Sequence, residues 1–189
     1  MTNYPFIIAS FPDLRLTFLR HPLEADKAVA ELRGQLSGKD NHLVDLLERE
    51  LAGEGLDEEF YQEVGRSRCR FLKEWTAFDR KFRLAKLSWL EGKGYEEDFD
   101  EYDKARRIFT IDNLLEREKA LDRLSWDKAE EIAAFDVLTI DTILSLLVHL
   151  HIASRWNRLD PKTGAELFRK LVDEVKSTFQ GFNSEQKQE

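Results

Sequence analysis

From Val64 onward, Phe71, Trp75, Phe78, Phe82, Ala85 and Trp89 recur at steps of 7, 4, 3, 4, 3 and 4. A mean step near 3.5 residues keeps these side chains on one stripe of a helix, whereas a strand alternates every second residue. Asp57 is suited to cap the start, with Leu56 stapling onto Tyr61. Gly92 and Gly94 are suited to end it. The pattern predicts one helix over 57–92. So long an apolar stripe must be covered along its whole length. Its aromatic content suits a globular bundle better than a thin two-stranded coil.

The rest of the chain supplies the covering elements. Only 9 Gly and 4 Pro interrupt 189 residues, and 42% are apolar, a helix-rich composition able to bury a real core. Helices are expected over 24–36 and 40–52, the second capped by Asp40 or Asn41. Further helices are expected over 112–134 and from Asp136 to about Arg158, with Ile140, Ile143, Leu144, Leu147 and Leu150 facing inward. A last helix starts at Asp160 with Pro161 at N1, and its apolar stripe runs through Phe168, Leu171, Val172, Val175 and Phe179. YPFIIASFPDL, β-branched and bracketed by prolines, reads as a short extended N-terminal segment. EEDFDEYD, residues 96–103, reads as an acidic linker or helix start. The expectation is an all-α, multi-helix bundle with one long central helix. It forms a single domain over 1–183, divisible into lobes 1–95 and 96–183 that share the helix 57–92. Residues 184–189 form a polar, disordered tail.

Composition also narrows function. A net charge of −8 argues against nucleic-acid binding, which needs basic groups to displace phosphate counterions. No secretory leader is evident. The most apolar run, VLTIDTILSLLVHLHIA, carries Asp141 and two histidines and is too short to span a bilayer. A cytoplasmic protein is expected. Cys69, the single cysteine, reads as a small core hydrophobe.

Candidate chemistry is sparse. Glu118 and Asp122 share a helix face at i and i+4, while Glu116 lies elsewhere. Two-metal bundle sites use Glu-x-x-His pairs, and no histidine here has Glu three residues before it. His149 and His151 point roughly 200° apart on a helix and cannot chelate one ion together. EEDFDEYD lacks the Gly and the twelfth-position Glu of a calcium loop. No phosphate-binding loop or nucleophile elbow is present. We therefore expect no catalytic residue, no metal and no cofactor. Glu118, Asp122 and Arg155 are expected to form an interhelical ion-pair network beside Trp126 and Trp156.

One charge asymmetry stands out. Eight basic residues lie between Arg66 and Lys86, against only Glu74 and Asp79. On a continuous helix Arg66, Arg70 and Lys73 share one face at i, i+4 and i+7. That face reads as a docking surface for an acidic partner, or else as a surface neutralised internally by the acidic linker and the helix 112–134.

Four segments together carry a resemblance: YPFIIASFPDL, FDRKFRLAKLSWLEGKG, LEREKALDRLSWDKAEEIAAFD and LLVHLHIASRWNRLDPKTGAELFRKLVDEV. They resemble a bacterial family of uncharacterised proteins, well represented in the Bacteroidetes and encoded beside the subunits of V-type ATPases. The likeness runs from about Tyr4 to Val175 and is sharpest at Glu118–Trp126 and Arg155–Asp160. This family is in turn distantly similar to the C-type component of those ATPases (d-type in eukaryotes), the helical cup between rotor stalk and membrane ring. The resemblance implies a non-catalytic accessory or C-like component, peripheral to the membrane and partnered by V-type ATPase subunits on the stalk or ring side. A rival reading is a small enzyme or ligand-binding bundle with a pocket near Trp126, Trp156 and His151. Elemental analysis of the purified protein should find no transition metal in stoichiometric amount; one bound ion per chain would contradict the residue-spacing argument.

Overall fold

The computed structural model describes residues 2–18, 24–95, 99–159 and 164–172. Those residues form an all-α bundle, and among them there is no strand. The helices are α1 (Tyr4–Ser10), α2 (Ala25–Gln35), α3 (Gly38–Ala52), α4 (Glu58–Arg66), α5 (Arg70–Leu90), α6 (Tyr102–Phe109), α7 (Leu114–Ala133) and α8 (Ile140–Arg158). Residues 164–172 are also helical and are called α9. Buried side chains from Ile7 to Trp156 make one contiguous cluster. The expected cap at Asp160–Pro161, Val175, Phe179 and the tail 184–189 lie outside the described residues.

The N-terminal segment is helical where an extended one is expected. The Asn3 side chain accepts from Phe6 N at 3.3 Å, and Pro5 sits in the first turn, where its missing N–H costs nothing. Local capping thus outweighs the strand preference of Ile7 and Ile8. The chain turns extended only at Phe11. Thr2 and Tyr4 then donate to Asp40 at 2.8 and 3.0 Å, tying α1 to the start of α3. Asp40 is the third residue of a capping box with Ser37, so Ser37 is the cap in place of Asp40 or Asn41. Burial alone would raise the Asp40 carboxyl; hydrogen bonds from Ser37, Thr2 and Tyr4 hold it below its ordinary value.

The helix expected over 57–92 is broken. Asp57 caps α4 as the sequence suggests, but Ser67 and Cys69 are extended, with ψ of 148° and 117°. The heptad step from Val64 to Phe71 survives because both side chains are buried on either side of the corner. Neither proline nor glycine makes the break. Ser67 Oγ accepts from Cys69 N at 3.1 Å, and Cys69 Sγ accepts from Leu72 N at 3.5 Å. These two side chains replace the helical hydrogen bonds that the corner gives up. Burial pushes the Cys69 thiol up to about 12, so it stays protonated and its S–H reaches Asp141 Oδ1 at 3.5 Å.

Past the corner, α5 carries the aromatic seam into the core. Phe71, Trp75, Phe78 and Phe82 follow one another at ring separations of 6.2, 5.6 and 5.9 Å. Phe99 packs on Phe78 and Phe109, at the end of α6, on Phe82, which extends the chain of rings from α5 to its neighbours. The expected helix from Asp136 starts later, at Ile140, with Thr139 as N-cap residue. Thr139 Oγ1 instead donates to the Asp136 carbonyl at 2.7 Å, so the turn takes up the residues expected to begin the helix. Unlike an amphipathic surface helix, α8 is buried on most sides: it packs against α1, α2, α3, α5 and α7.

Among the described residues, no cation pairs with the carboxylate oxygens of one core residue. Glu50, on α3, is 1% exposed and accepts from Thr76 Oγ1 at 2.7 Å. Arg83, from α5, instead binds Asp79 at 2.6 Å and the Glu50 carbonyl at 3.0 Å. It approaches past Gly53, whose φ of 72° and missing side chain leave it room. Burial, with Asp79 adding to it, raises the Glu50 carboxyl to about 8 against the lowering effects of Thr76 and Arg83. Between the ordinary Glu range and that value the folded state holds a proton the unfolded chain has lost. Stability must therefore fall as pH rises from about 4.5 to 8. Glu50→Gln should flatten that decline and raise the melting temperature at pH 8 by roughly 4 °C, at about 2–4 °C per kcal/mol for a chain of this size. Parallel melts of both proteins from pH 5 to 8 check this; identical pH slopes would mean Glu50 is not the group responsible.

Candidate functional site

Helices α7 and α8 run antiparallel, and polar ties join them along their length. At the open end Arg155 Nη2 meets Asp122 Oδ2 at 2.5 Å, and Arg155 Nη1 meets Glu118 Oε2 at 3.4 Å. The Trp156 indole N–H donates to the same Asp122 oxygen at 2.6 Å. Phe18 packs edge-on against Trp156 at 5.2 Å. The Asp122 side chain is only 11% exposed, Arg155 44%. Burial raises the Asp122 carboxyl above its ordinary value, opposed by Arg155 and Trp156. Lys119 and Arg123, the local alternatives, turn elsewhere: Lys119 pairs with Glu116 at 2.9 Å, and Arg123 lies over Phe18.

Midway, the rings of Trp126 and His149 stack at 3.7 Å with an interplanar angle of 5°. His149 Nε2 lies 3.3 Å from the Trp126 carbonyl. A carbonyl only accepts, so Nε2 carries the hydrogen and Nδ1 keeps its lone pair. Burial holds this imidazole below its ordinary pKa, against the Trp126 carbonyl and Glu130, which favours the neutral ring. The Trp126 indole N–H donates to Glu130 at 2.8 Å.

At the closed end sits Arg70. Its Nη2 donates to the Ile132 carbonyl at 2.5 Å, one of the last carbonyls of α7, and lies 3.5 Å from Asp141 in the first turn of α8. The guanidinium also covers the Phe135 ring at 4.6 Å. A cation here favours the negative end of α7, while Asp141 favours the positive end of α8.

These contacts correct the basic face. Arg66 ends α4 and Arg70 begins α5, so the corner at Ser67–Cys69 removes the i, i+4, i+7 relationship on which the face depends. Arg70 is an internal tie. Arg66 and Lys73 are exposed. Neutralisation also differs from expectation: Arg70 is met by Glu74 and Asp141, and Arg83 by Asp79. From the acidic linker, Glu101 pairs with Lys128 of α7 at 2.5 Å, and Phe99 is buried; residues 96–98 lie outside the described set.

The pocket expected around Trp126, Trp156 and His151 is not one cavity. Trp126 lines a groove of about 510 Å³ between α7, α8 and residues 8–14, together with Glu130, Val137, Leu146 and His149. His151 lines a separate cleft of about 200 Å³ between α2, α3 and α8. Trp156 is buried against Asp122 and Phe18. Among the described residues no group of three or more His, Cys, Asp or Glu could hold a metal ion, and no helix is long and apolar enough to cross a membrane.

Sequence reasoning missed the Arg70–Asp141 tie and the Trp126–His149 stack. A carboxylate inside an otherwise apolar run was the available sign of the first. The second depends on helix register, which spacing along one helix does not reveal.

Residues 92–179, just under half of the chain, match the family model of a protein family of unknown function, DUF2764. The matched region takes in α6, α7 and α8 and therefore the Asp122–Arg155, Asp122–Trp156 and Trp126–His149 ties, while Arg70 lies outside it. No curated protein and no solved structure matched the chain.

Truncating Asp122 should cost more than truncating Arg155, because Asp122→Ala strands both a buried indole N–H and a guanidinium. Breaking a buried pair costs about 3–5 kcal/mol; Asp122→Ala should approach the lower figure. Arg155→Ala, half exposed and leaving Trp156 to satisfy Asp122, should cost roughly 1–2 kcal/mol. Denaturant titration of both variants checks the order, and a larger loss for Arg155→Ala would place the strength of the tie on the wrong partner.

Proposed function

We propose that this chain is a non-catalytic, C-like helical component of a V-type ATPase, acting as a coupling and docking protein on the cytoplasmic side. It would be held near the membrane only through its partners. The V-type assignment rests on the four sequence segments that carry the resemblance. One structural observation supports a mechanical reading: the sharpest of those segments are used to fix one helix against another. Glu118 and Asp122 of the first motif meet Arg155 and Trp156 of the second across the α7–α8 joint, and Trp126 meets His149 of α8 through its ring and its carbonyl. The carboxylates of Glu118 and Asp122 face Arg155 and the Trp156 indole across the joint, pairing that suits a stiff connector. Packed interiors transmit strain instead of absorbing it.

Docking to V-type ATPase subunits through exposed charge falls to Arg66 and Lys73, since Arg70 is engaged internally. Affinity purification of the tagged protein from its native host should bring down V-type ATPase subunits. Arg66→Glu with Lys73→Glu should lower that recovery without shifting the melt. Raising salt should lower recovery of the wild type too, because exposed charges are screened within about 8 Å at physiological ionic strength. Recovery of none of these subunits would overturn the assignment. Undiminished recovery by the double variant would move the docking surface elsewhere.

A further inference from the structure

Helix α8 turns a polar face to the groove that it forms with α7 and residues 8–14. Thr142, Ser145, Leu146 and His149 all line that groove. At about 100° per residue they fall within one arc of roughly 100° on the helix. Ser145 and His149 are only 4% and 5% exposed. A buried hydroxyl in a helix commonly turns back onto the carbonyl four residues earlier. Neither hydroxyl does so here. Thr142 Oγ1 has no partner among the described residues, and no hydrogen bond joins Ser145 Oγ to another described residue. His149 spends its Nε2 hydrogen on the Trp126 carbonyl, which leaves Nδ1 as a lone-pair acceptor. Ser145 and His149 stand at i and i+4, so their side chains are neighbours, about 6 Å apart at Cβ. Together they present one O–H donor beside one nitrogen acceptor, where buried polar groups are otherwise nearly always met.

The walls facing this pair are apolar, with Ile8, Phe11, Leu14 and Val137 among them. Both carboxylates at the groove are engaged within the protein. Glu130 accepts from the Trp126 indole at 2.8 Å, and Asp13 pairs with Arg15 at 2.9 Å. Among the described residues no lysine or arginine lines the groove. It therefore offers no cation to an anionic ligand and holds its acids in other pairs. Its volume of about 510 Å³ falls within the range of small-molecule sites, which are mostly apolar with a few convergent polar groups.

We infer that this groove binds a small neutral molecule carrying a hydroxyl on an apolar body. The hydroxyl donates to His149 Nδ1 and accepts from the Ser145 O–H, while the body packs against Phe11, Leu14 and Val137. A hydroxyl suits the pair because it both gives and takes a hydrogen; an ammonium only donates and a carboxylate only accepts. The site goes beyond the connector reading, since Ser145 Oγ and His149 Nδ1 tie no helix to another.

Phenol is the probe, and toluene, the same ring without the hydroxyl, is its control. Nitrogen-15 NMR of the histidine side chains should show Nδ1 of His149 moving as phenol is added. Toluene should bind about tenfold more weakly. Ser145→Ala should narrow that gap by weakening phenol and leaving toluene unchanged. Ala134→Trp, at an exposed position on the groove's edge, should abolish binding of both with an unchanged melt. Equal binding of phenol and toluene, phenol bound with His149 Nδ1 unmoved, or binding that survives Ala134→Trp would each overturn the proposal. So would binding of neither, which would leave the two polar groups to water alone.

Discussion

The bundle depends on the register of α8 against α7. Three polar ties fix it: Asp122 with Arg155 and Trp156, Trp126 with His149, and the Ile132 carbonyl with Arg70 and Asp141. Reading from one end to the other, the partner numbers on α7 rise as those on α8 fall, as antiparallel helices require. Apolar side chains alone leave such a pair free to slide by a turn at modest cost, because leucine replaces leucine. A guanidinium, an indole N–H and an imidazole do not tolerate that shift, since each would lose its partner inside the protein.

Once α8 is fixed, the other helices have little choice. It is buried on most sides, so α1, α2, α3 and α5 gather around it. Three of the ionisable groups this brings inside are met locally: His149 by a carbonyl, Glu50 by a threonine, Asp141 by Arg70 and Cys69. Each carries a cost. Glu50 is the clearest, a carboxyl kept protonated by its surroundings where a leucine would fit the same helix face. Arg70 gathers three helix ends with one side chain, which is why it is not free for any partner.

Much of the architecture is legible in the sequence because helix signals are local. Asp57 as a cap, the aromatic seam of α5 and the span of α7 follow from spacing and capping chemistry. Failures occur where two local signals compete. Ile7 and Ile8 favour a strand, yet Asn3 and Pro5 start a helix first. Val64 and Phe71 keep the heptad beat across a corner that Ser67 and Cys69 create, so periodicity hides the break. In the candidate site, Glu118, Asp122 and Arg155 can be named from residue type and helix spacing. The shared role of Trp156 at Asp122, and the stacking of Trp126 on His149, need the register of one helix against another. The exposure of Phe168 and Leu171 likewise follows from where α9 lies, not from its own pattern.

The corner at Ser67–Cys69 changes what the aromatic rod can do. An unbroken helix over 57–92 would be about 54 Å long at 1.5 Å per residue, whereas α5 alone spans about 31 Å. A long straight helix loaded at its tip is a lever with its fulcrum in the core. Here the lever is cut short, and α4 meets α5 through three residues, of which Ser67 and Cys69 are extended and held by a hydroxyl and a thiol. A push on α4 bends that corner before it tilts α5, so compliance is concentrated at one point and the ring stack behind it stays rigid.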